Sequence, residues 1–212
     1  ALDFEALARE FPPPPDYFRT TFRASRDELH ALQERRFLQT MERGWEIPFF
    51  QRHWRNAGMQ PGDIRGLDDL QKVPPYDVHD IRASIERNPP FGDFMGISPA
   101  DGKRMPLVLQ TSGGTTGLPR PMLYAPRDRE TMAIMGGRRF ALHGVRPGDM
   151  VLVTYALGLS NGAAAPREAL WRYSGAVPVM TGGGATTPTR RQIDVRGERE
   201  SLHLSGLAAD RD

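Results

Sequence analysis

The placement of proline constrains this chain more than any other feature. Pro12 to Pro15 stand in an unbroken row, and Pro48, Pro61, Pro74, Pro75, Pro89 and Pro90 interrupt the stretch from Trp45 to Pro99. Each ring fixes φ and removes a backbone donor, so long helices and central strands cannot run through these positions. The row at 12–15 therefore reads as a stiff linker that follows a short helix through Leu2, Leu7 and Ala8. The later stretch admits only brief helices, for instance around Leu67 to Gln71 and Val78 to Ile85. Gly 22 and Pro 19 make about 19% of the 212 residues, above the ordinary share of about 12% but short of low complexity. Leu, Ile, Val and Phe supply about 21%, little above the level at which chains stay unfolded, so a small core is expected.

Between the prolines, three periodic segments stand out. Ser25 followed by Glu28 is a capping box, and Leu29, Leu32, Leu38 and Met41 recur at helical spacing, which predicts a helix over Arg26 to Arg43 with Gly44 as its stop. Pro126 suits the first turn of a helix reaching Leu142, with Gly136 and Gly137 marking close packing or a kink. Pro166 to Ser174 reads as a further helix ended by Gly175. Strands are expected at Leu107 to Leu109, Met122 to Tyr124, Met150 to Tyr155 and Ala176 to Met180. The run Met150 to Tyr155 is apolar without alternation, as in strands buried on both faces of a parallel sheet. Strand, helix and strand recur twice, so the fold class is α/β: a helical N-terminal region followed by right-handed βαβ units of a mainly parallel sheet. The organisation reads as an extension with the Pro-rich linker (1–24), a helical entry region (25–100), an α/β part (101–193) and an unpatterned tail (194–212). In the last eighteen residues no strand comparable with Met150 to Tyr155 is expected.

Composition excludes several classes of function. With Cys 0, disulfides and thiolate metal sites are impossible, which suits a reducing compartment and makes the cytoplasm the expected location. No apolar run approaches the roughly 18 residues that cross a bilayer, and acids in Ala1 to Glu10 do not suit a signal peptide. A net charge of +2 with acids and bases interleaved is not the one-sided basic surface of a nucleic-acid binder. The five histidines, His30, His53, His79, His143 and His203, show no metal-ligand spacing, so no protein-only metal site is expected. Trp45, Phe49, Phe50 and Trp54 suit a helical core patch better than a base-stacking platform.

The chemistry concentrates in Thr111-Ser112-Gly113-Gly114-Thr115-Thr116-Gly117-Leu118-Pro119-Arg120, a hairpin-like loop between strands. Glycines let successive N–H groups turn toward one centre, hydroxyls donate to phosphate oxygens, and Arg120 adds a charge-assisted fork; polyphosphate is the natural guest. A ligand-free Gly/Thr hairpin is the competing reading. Pro119 and Arg120 replace the Gly-Lys-Ser/Thr ending of a nucleotide P-loop, and Thr187 breaks a dinucleotide fingerprint at Gly182 to Gly184.

The ordered string resembles the phosphate loop of the adenylate-forming (AMP-binding) superfamily, Ser/Thr-Ser-Gly-Thr-Thr-Gly-x-Pro-Lys, with one change over Ser112 to Pro119. The wider chain, from about Ser25 to Ile193, is similar to the phenylacetate-CoA ligase branch. Ser25 to Leu29 with Gln33, Pro48-Phe49-Phe50, Ala57-Gly58, Pro61 to Ile64, Leu67 to Leu70, Arg146 to Asp149 and Gly182-Gly183 follow that family's order. The resemblance implies that a carboxylic acid, an aromatic one in that branch, attacks ATP to give an acyl-adenylate, which coenzyme A then intercepts, with Mg2+ accompanying the nucleotide. It implies that Ser112, Gly113, Gly114, Thr115, Thr116, Gly117 and Arg120 hold the phosphates, and that Tyr155, Leu157, Gly158 and Leu159 lie near the acid.

Three departures qualify it. Gly113 stands where relatives have a second serine, and Tyr155-Ala156-Leu157-Gly158-Leu159-Ser160 replaces two aromatics of Tyr-Gly-Tyr-Gly-Leu-Phe. The family's adenine strand, Thr-Glu magnesium motif, ribose aspartate and late catalytic lysine have no counterpart up to Asp212, so the chain is expected to be an N-terminal portion.

Overall fold

The computed structural model describes residues 2–112, 119–159, 161–183 and 202–205. Two compact units divide the chain: 23–104, and 1–22 together with 105–212.

In the unit 23–104, α3 (Arg26–Glu46) starts where the capping box predicts. Ser25 Oγ accepts from the Glu28 N–H at 3.3 Å, and the Glu28 carboxylate accepts from the Ser25 N–H at 2.8 Å. These hydrogen bonds to Ser25, the backbone one first, hold the Glu28 carboxyl below its usual range. The helix does not stop at Gly44, as the sequence suggested, but runs through it to Glu46. Gly44 is buried and packs under the Trp54 ring of α4 (Pro48–Asn56), so its missing side chain serves helix contact rather than termination. Trp45 and Trp54 meet edge to face at 5.1 Å, and Phe50, Phe37, Ile64 and Val73 close around Met41, Trp54 and Met59. The aromatic group is a core patch, as its spacing predicted. Behind it, α5 (Val78–Arg87) is capped by Asp77 and carries buried Ser84.

The other unit corrects the reading of Pro12 to Pro15 as a spacer. Pro14 is buried and occupies the first turn of α2 (Pro14–Arg19), and the Pro12 carbonyl accepts from Arg138 Nε at 2.9 Å and Nη2 at 2.6 Å. The missing donors of a proline run cost nothing at a helix start, and its fixed φ suits one. Ahead of it, α1 (Phe4–Glu10) is capped by Asp3. Strands β1 (Val108–Thr111) and β2 (Pro121–Tyr124) pair antiparallel, with Gln110 opposite Met122 and Thr111 opposite Pro121. The next helix, α6 (Pro126–Leu142), packs on α7 (Asn161–Ala169) and on the π-helical turn Leu170–Ser174 through Gly136 and Gly137. A Cβ on either glycine would come within 2.5 Å of the Ala169 or Tyr173 Cβ, so the pair serves close packing.

The helix expected over Pro166 to Ser174 begins at Asn161, and its second half is π-helical before Gly175 closes it at φ +67°. Pro166 sits inside α7 rather than in its first turn. The parallel sheet has the order β4-β3-β5, with β3 (Met150–Val153), β4 (Val177–Met180) and β5 (Leu202–Ser205). Val151, Leu152 and Val153 are buried, which is why that run shows no alternation. Only the second strand-helix-strand repeat, β3-α7-β4, forms a parallel unit among the described residues; β2 pairs with β1 instead. The tail, expected to offer no strand comparable with Met150 to Tyr155, contributes the four-residue β5 beside β3. Its four residues are too short to signal themselves, and it forms on the open backbone edge of β3.

Candidate functional site

The expected phosphate loop hangs from the β1–β2 hairpin. Beyond the last ladder pair, the Ser112 N–H donates to the Arg120 carbonyl at 3.0 Å, which adds a rung and closes the loop at its base. Gly113, Gly114, Thr115, Thr116 and Gly117 lie outside the described residues. Alternate residues of a strand share a face, so Gln110 and Ser112 on one strand and Arg120 and Met122 on the other stand on the same side of the hairpin. Arg120 is half-buried, and its Nε is shielded from solvent without a hydrogen-bond partner.

The second set of expected residues reaches the same place along a different route. After β3, the chain runs through Tyr155, Leu157, Gly158 and Leu159. The Leu159 carbonyl accepts a 2.7 Å hydrogen bond from the Thr111 N–H, on the β1 edge that faces away from β2. One backbone bond thus ties the 155–159 stretch to the foot of the loop. Tyr155, Leu157 and Leu159 are 53%, 55% and 63% exposed, and nothing crowds Gly158, so these side chains do not belong to the core of this unit. Beside them, β4 continues into Thr181, whose N–H and Oγ1 both donate to the Val153 carbonyl at 3.2 and 3.3 Å. A Cβ on Gly183 would stand 3.8 Å from the Ala156 Cβ. The carboxyl ends of β3 and β4 and the foot of the hairpin therefore converge, which is where open α/β sheets bind ligands.

Two polar residues here escaped the sequence reading. Gln110 is 4% exposed and Thr181 8% exposed. The signal for Gln110 was present: a lone amide ends the apolar run Leu107-Val108-Leu109 directly before the loop. For Thr181 no such signal exists, because a threonine at a strand end is ordinary.

The donor set suits an anion. Backbone N–H groups, the Ser112 hydroxyl and the Arg120 guanidinium present positive or donor character, and no described carboxylate pairs with Arg120. Among the described residues no group of three or more His, Asp or Glu could hold a metal ion, and no helix is long and apolar enough to cross a membrane.

Comparison with known proteins gives one consistent answer. The chain is 31% identical over 184 residues to phenylacetate-coenzyme A ligase of Aromatoleum evansii, an alignment covering 86% of this chain and 39% of that protein. It is 33% identical over 161 residues to phenylacetate-coenzyme A ligase of Escherichia coli (strain K12), covering 76% and 35%. In three dimensions it matches 2-hydroxyisobutyryl-CoA ligase in complex with 2-HIB-AMP and CoA in the thioesterification state, with a TM-score of 0.72 and 28% identity over 81% of this chain and 35% of that one. The same ligase in the postadenylation state with 2-HIB-AMP gives a TM-score of 0.71 and 26% identity. No protein-family profile matches. The chain spans well under half the length of each of these relatives.

Proposed function

We infer, for a chain related in sequence and fold to the N-terminal portion of the phenylacetate-CoA ligase-like adenylate-forming enzymes, that it supplies the phosphate-binding part of an AMP-forming acyl- or aryl-CoA ligase. In the proposed reaction a carboxylate oxygen attacks the α-phosphorus of ATP, the bond to the β-phosphate bridging oxygen breaks, and pyrophosphate leaves. The thiol of coenzyme A then displaces AMP from the acyl-adenylate.

The observation that carries this reading is the Thr111 to Leu159 backbone bond. It joins the stretch proposed to face the acid to the loop proposed to hold the triphosphate, as a step between those two reactants requires. Ser112, Gly113, Gly114, Thr115, Thr116, Gly117 and Arg120 hold the β- and γ-phosphates in this reading. Their donors stabilise the charge that gathers on the departing pyrophosphate without having to reorganise. Gly113 keeps its N–H where relatives have a serine, so one hydroxyl donor is lost and the cradle persists. Tyr155, Leu157, Gly158 and Leu159 face the acid, an aromatic one, with a single aromatic side chain in that stretch. Mg2+ does not fit the described donors themselves, which offer the anion N–H groups, hydroxyls and a guanidinium rather than carboxylates; it would reach the site on the nucleotide's own phosphates.

A second reading is a nucleotide-binding module of this fold without turnover. Exchange of labelled pyrophosphate into ATP, with a panel of aryl and alkyl acids, separates the two. Acid-dependent exchange by the 212-residue chain supports the ligase and excludes the module. Binding of a nonhydrolysable ATP analogue without exchange is the outcome the ligase reading itself expects of this portion alone, and absence of both defeats the site.

A further inference from the structure

We propose that the cleft between α1, the open end of the β1–β2 hairpin and the π-helical turn is a second binding site, for a small organic monocarboxylate with an aromatic body, held by Arg167 and Trp171.

Segments distant in sequence enclose an open cleft of about 550 Å³, within the size range of small-molecule sites. Phe4 of α1, Val108 of β1 and Trp171 of the π-helical turn stand on its wall, 54%, 39% and 69% exposed. One exposed apolar side chain is ordinary; three brought from distant segments around one hollow are not. The cleft lies apart from the candidate phosphate site. Val108 pairs with Tyr124 at one end of the ladder and Thr111 with Pro121 at the other, so about 10 Å of strand separates the cleft from the foot of the loop.

Charge decides what kind of molecule fits. Three arginines and two glutamates line the cleft. Glu130 is committed through both oxygens, Oε1 to the Tyr173 hydroxyl and Oε2 to Arg172 Nη2 at 2.6 Å. Glu168 Oε1 accepts from Arg129 Nη2. Arg167 is left over: its Nη2 stands 3.7 Å from that same Glu168 oxygen, beyond hydrogen-bond length, and its Nε is shut from solvent without an acceptor. An orphaned guanidinium donor calls for an acceptor, and because the group stays charged at every physiological pH, an anion meets that need best. A single surplus charge matches a monoanion, and the planar fork matches the two oxygens of a carboxylate. The Arg167 side chain is 38% exposed, so such a ligand can reach it from the cleft that it lines. The apolar wall then takes the body of the molecule, with the Trp171 indole as a face for an aromatic ring.

Trp171 also serves as the reporter. Titrating the 212-residue chain with 3-phenylpropionate should shift its tryptophan emission, and Trp171→Phe should abolish the shift, since Trp45 and Trp54 belong to the core patch of the unit 23–104. The amide 3-phenylpropionamide has the same body without the charge, and acetate has the charge without the body; each should bind at least about tenfold more weakly. Arg167→Met keeps an apolar stem and removes the guanidinium, so affinity should fall about tenfold or more. Should that variant fail to fold, Val108→Glu replaces it: at an exposed position it brings a competing carboxylate to the cleft and should weaken binding to the same degree. Emission unmoved by 3-phenylpropionate would overturn the proposal, as would equal affinities for acid and amide, or a change of less than twofold in the folded variants. Trp171 emission that varies with protein concentration in the absence of ligand would assign the cleft to a second copy of the chain and overturn it as well.

Discussion

Gly44 and Trp54 occupy one another's space: a Cβ built on Gly44 would stand 2.2 Å from Cη2 of the Trp54 ring. The ring cannot swing away, because Trp45 meets it edge to face at 5.1 Å and Phe50 lies at 5.3 Å. Alanine favours a helix interior by about 1 kcal/mol over glycine, but overpacking a closed core costs about 1 to 3 kcal/mol. Gly44→Ala should therefore destabilise the unit 23–104 despite its better helix propensity. Urea denaturation followed by tryptophan fluorescence checks this; an unchanged or raised midpoint would show that the ring is free to move.

Acid should weaken the same unit through Asp93. Its carboxylate accepts from both Arg52 Nη atoms, at 2.5 and 2.9 Å, and from Ser84 Oγ at 2.8 Å. The Arg52 hydrogen bonds, then Ser84 and the Arg52 and Arg87 charges, outweigh burial and hold the Asp93 carboxyl below its ordinary 3.8. A depressed pKa gives stability that is fully present above 3.8 and is lost as pH falls through the lower folded value. Asp93→Asn should lower stability at neutral pH and flatten its decline below about pH 4. Denaturant midpoints measured from pH 7 down to pH 2 for both proteins decide the matter, and parallel curves would exclude Asp93 as the titrating group.

These two cases show what the residues announce in advance and what they conceal. The Ser25 and Glu28 capping box and the unalternating run from Met150 are local signals that the structure follows, although the strand expected to reach Tyr155 ends at Val153. Gly44 and Pro12 to Pro15 look like punctuation, yet their roles are set by partners distant in sequence: Trp54 for Gly44, Arg138 for Pro12. Pro166 likewise looks like a helix start but lies inside α7, and β5 exists because β3 offers an edge. At the candidate site the loop is legible because its chemistry lies in consecutive residues. Buried Gln110 was overlooked although a lone amide ends the apolar run before the loop, whereas buried Thr181 carries no such signal.

The packing of α6 on the π-helical turn makes a further prediction. Glu130 is 3% exposed, accepts from the Tyr173 hydroxyl, and pairs with Arg172 Nη2 at 2.6 Å. Burial first, then the hydrogen bond to Glu130 and its charge, push the Tyr173 hydroxyl well above its ordinary 10.0. A raised pKa stabilises the fold fully below pH 10 and loses that contribution as pH rises past it. Glu130→Gln should move the Tyr173 ionisation back toward that value in an ultraviolet titration. Glu130→Ala should cost about 2 kcal/mol, below the 3 to 5 of a fully buried pair because Arg172 reaches water at 38% exposure. A tyrosine titration unmoved by Glu130→Gln would show that burial alone controls Tyr173.

Leu157 and Leu159 test whether the stretch after β3 faces a substrate. At 55% and 63% exposure, neither carries weight in the core, so Leu157→Ala and Leu159→Ala should each shift stability by no more than about 0.5 kcal/mol. Leu159 holds the Thr111 N–H with its backbone carbonyl, which alanine retains, so the foot of the loop should stay in place and affinity for a nonhydrolysable ATP analogue should change less than twofold. If these side chains meet the acid, truncation should instead alter which acids drive pyrophosphate exchange, by about ten- to two-hundredfold per pocket contact. The measurement is the ratio of exchange rates with a large aryl acid and a small alkyl acid for each variant. Equal ratios in parent and variants, alongside unchanged stability and nucleotide affinity, would leave both leucines as surface residues and move the acid pocket elsewhere.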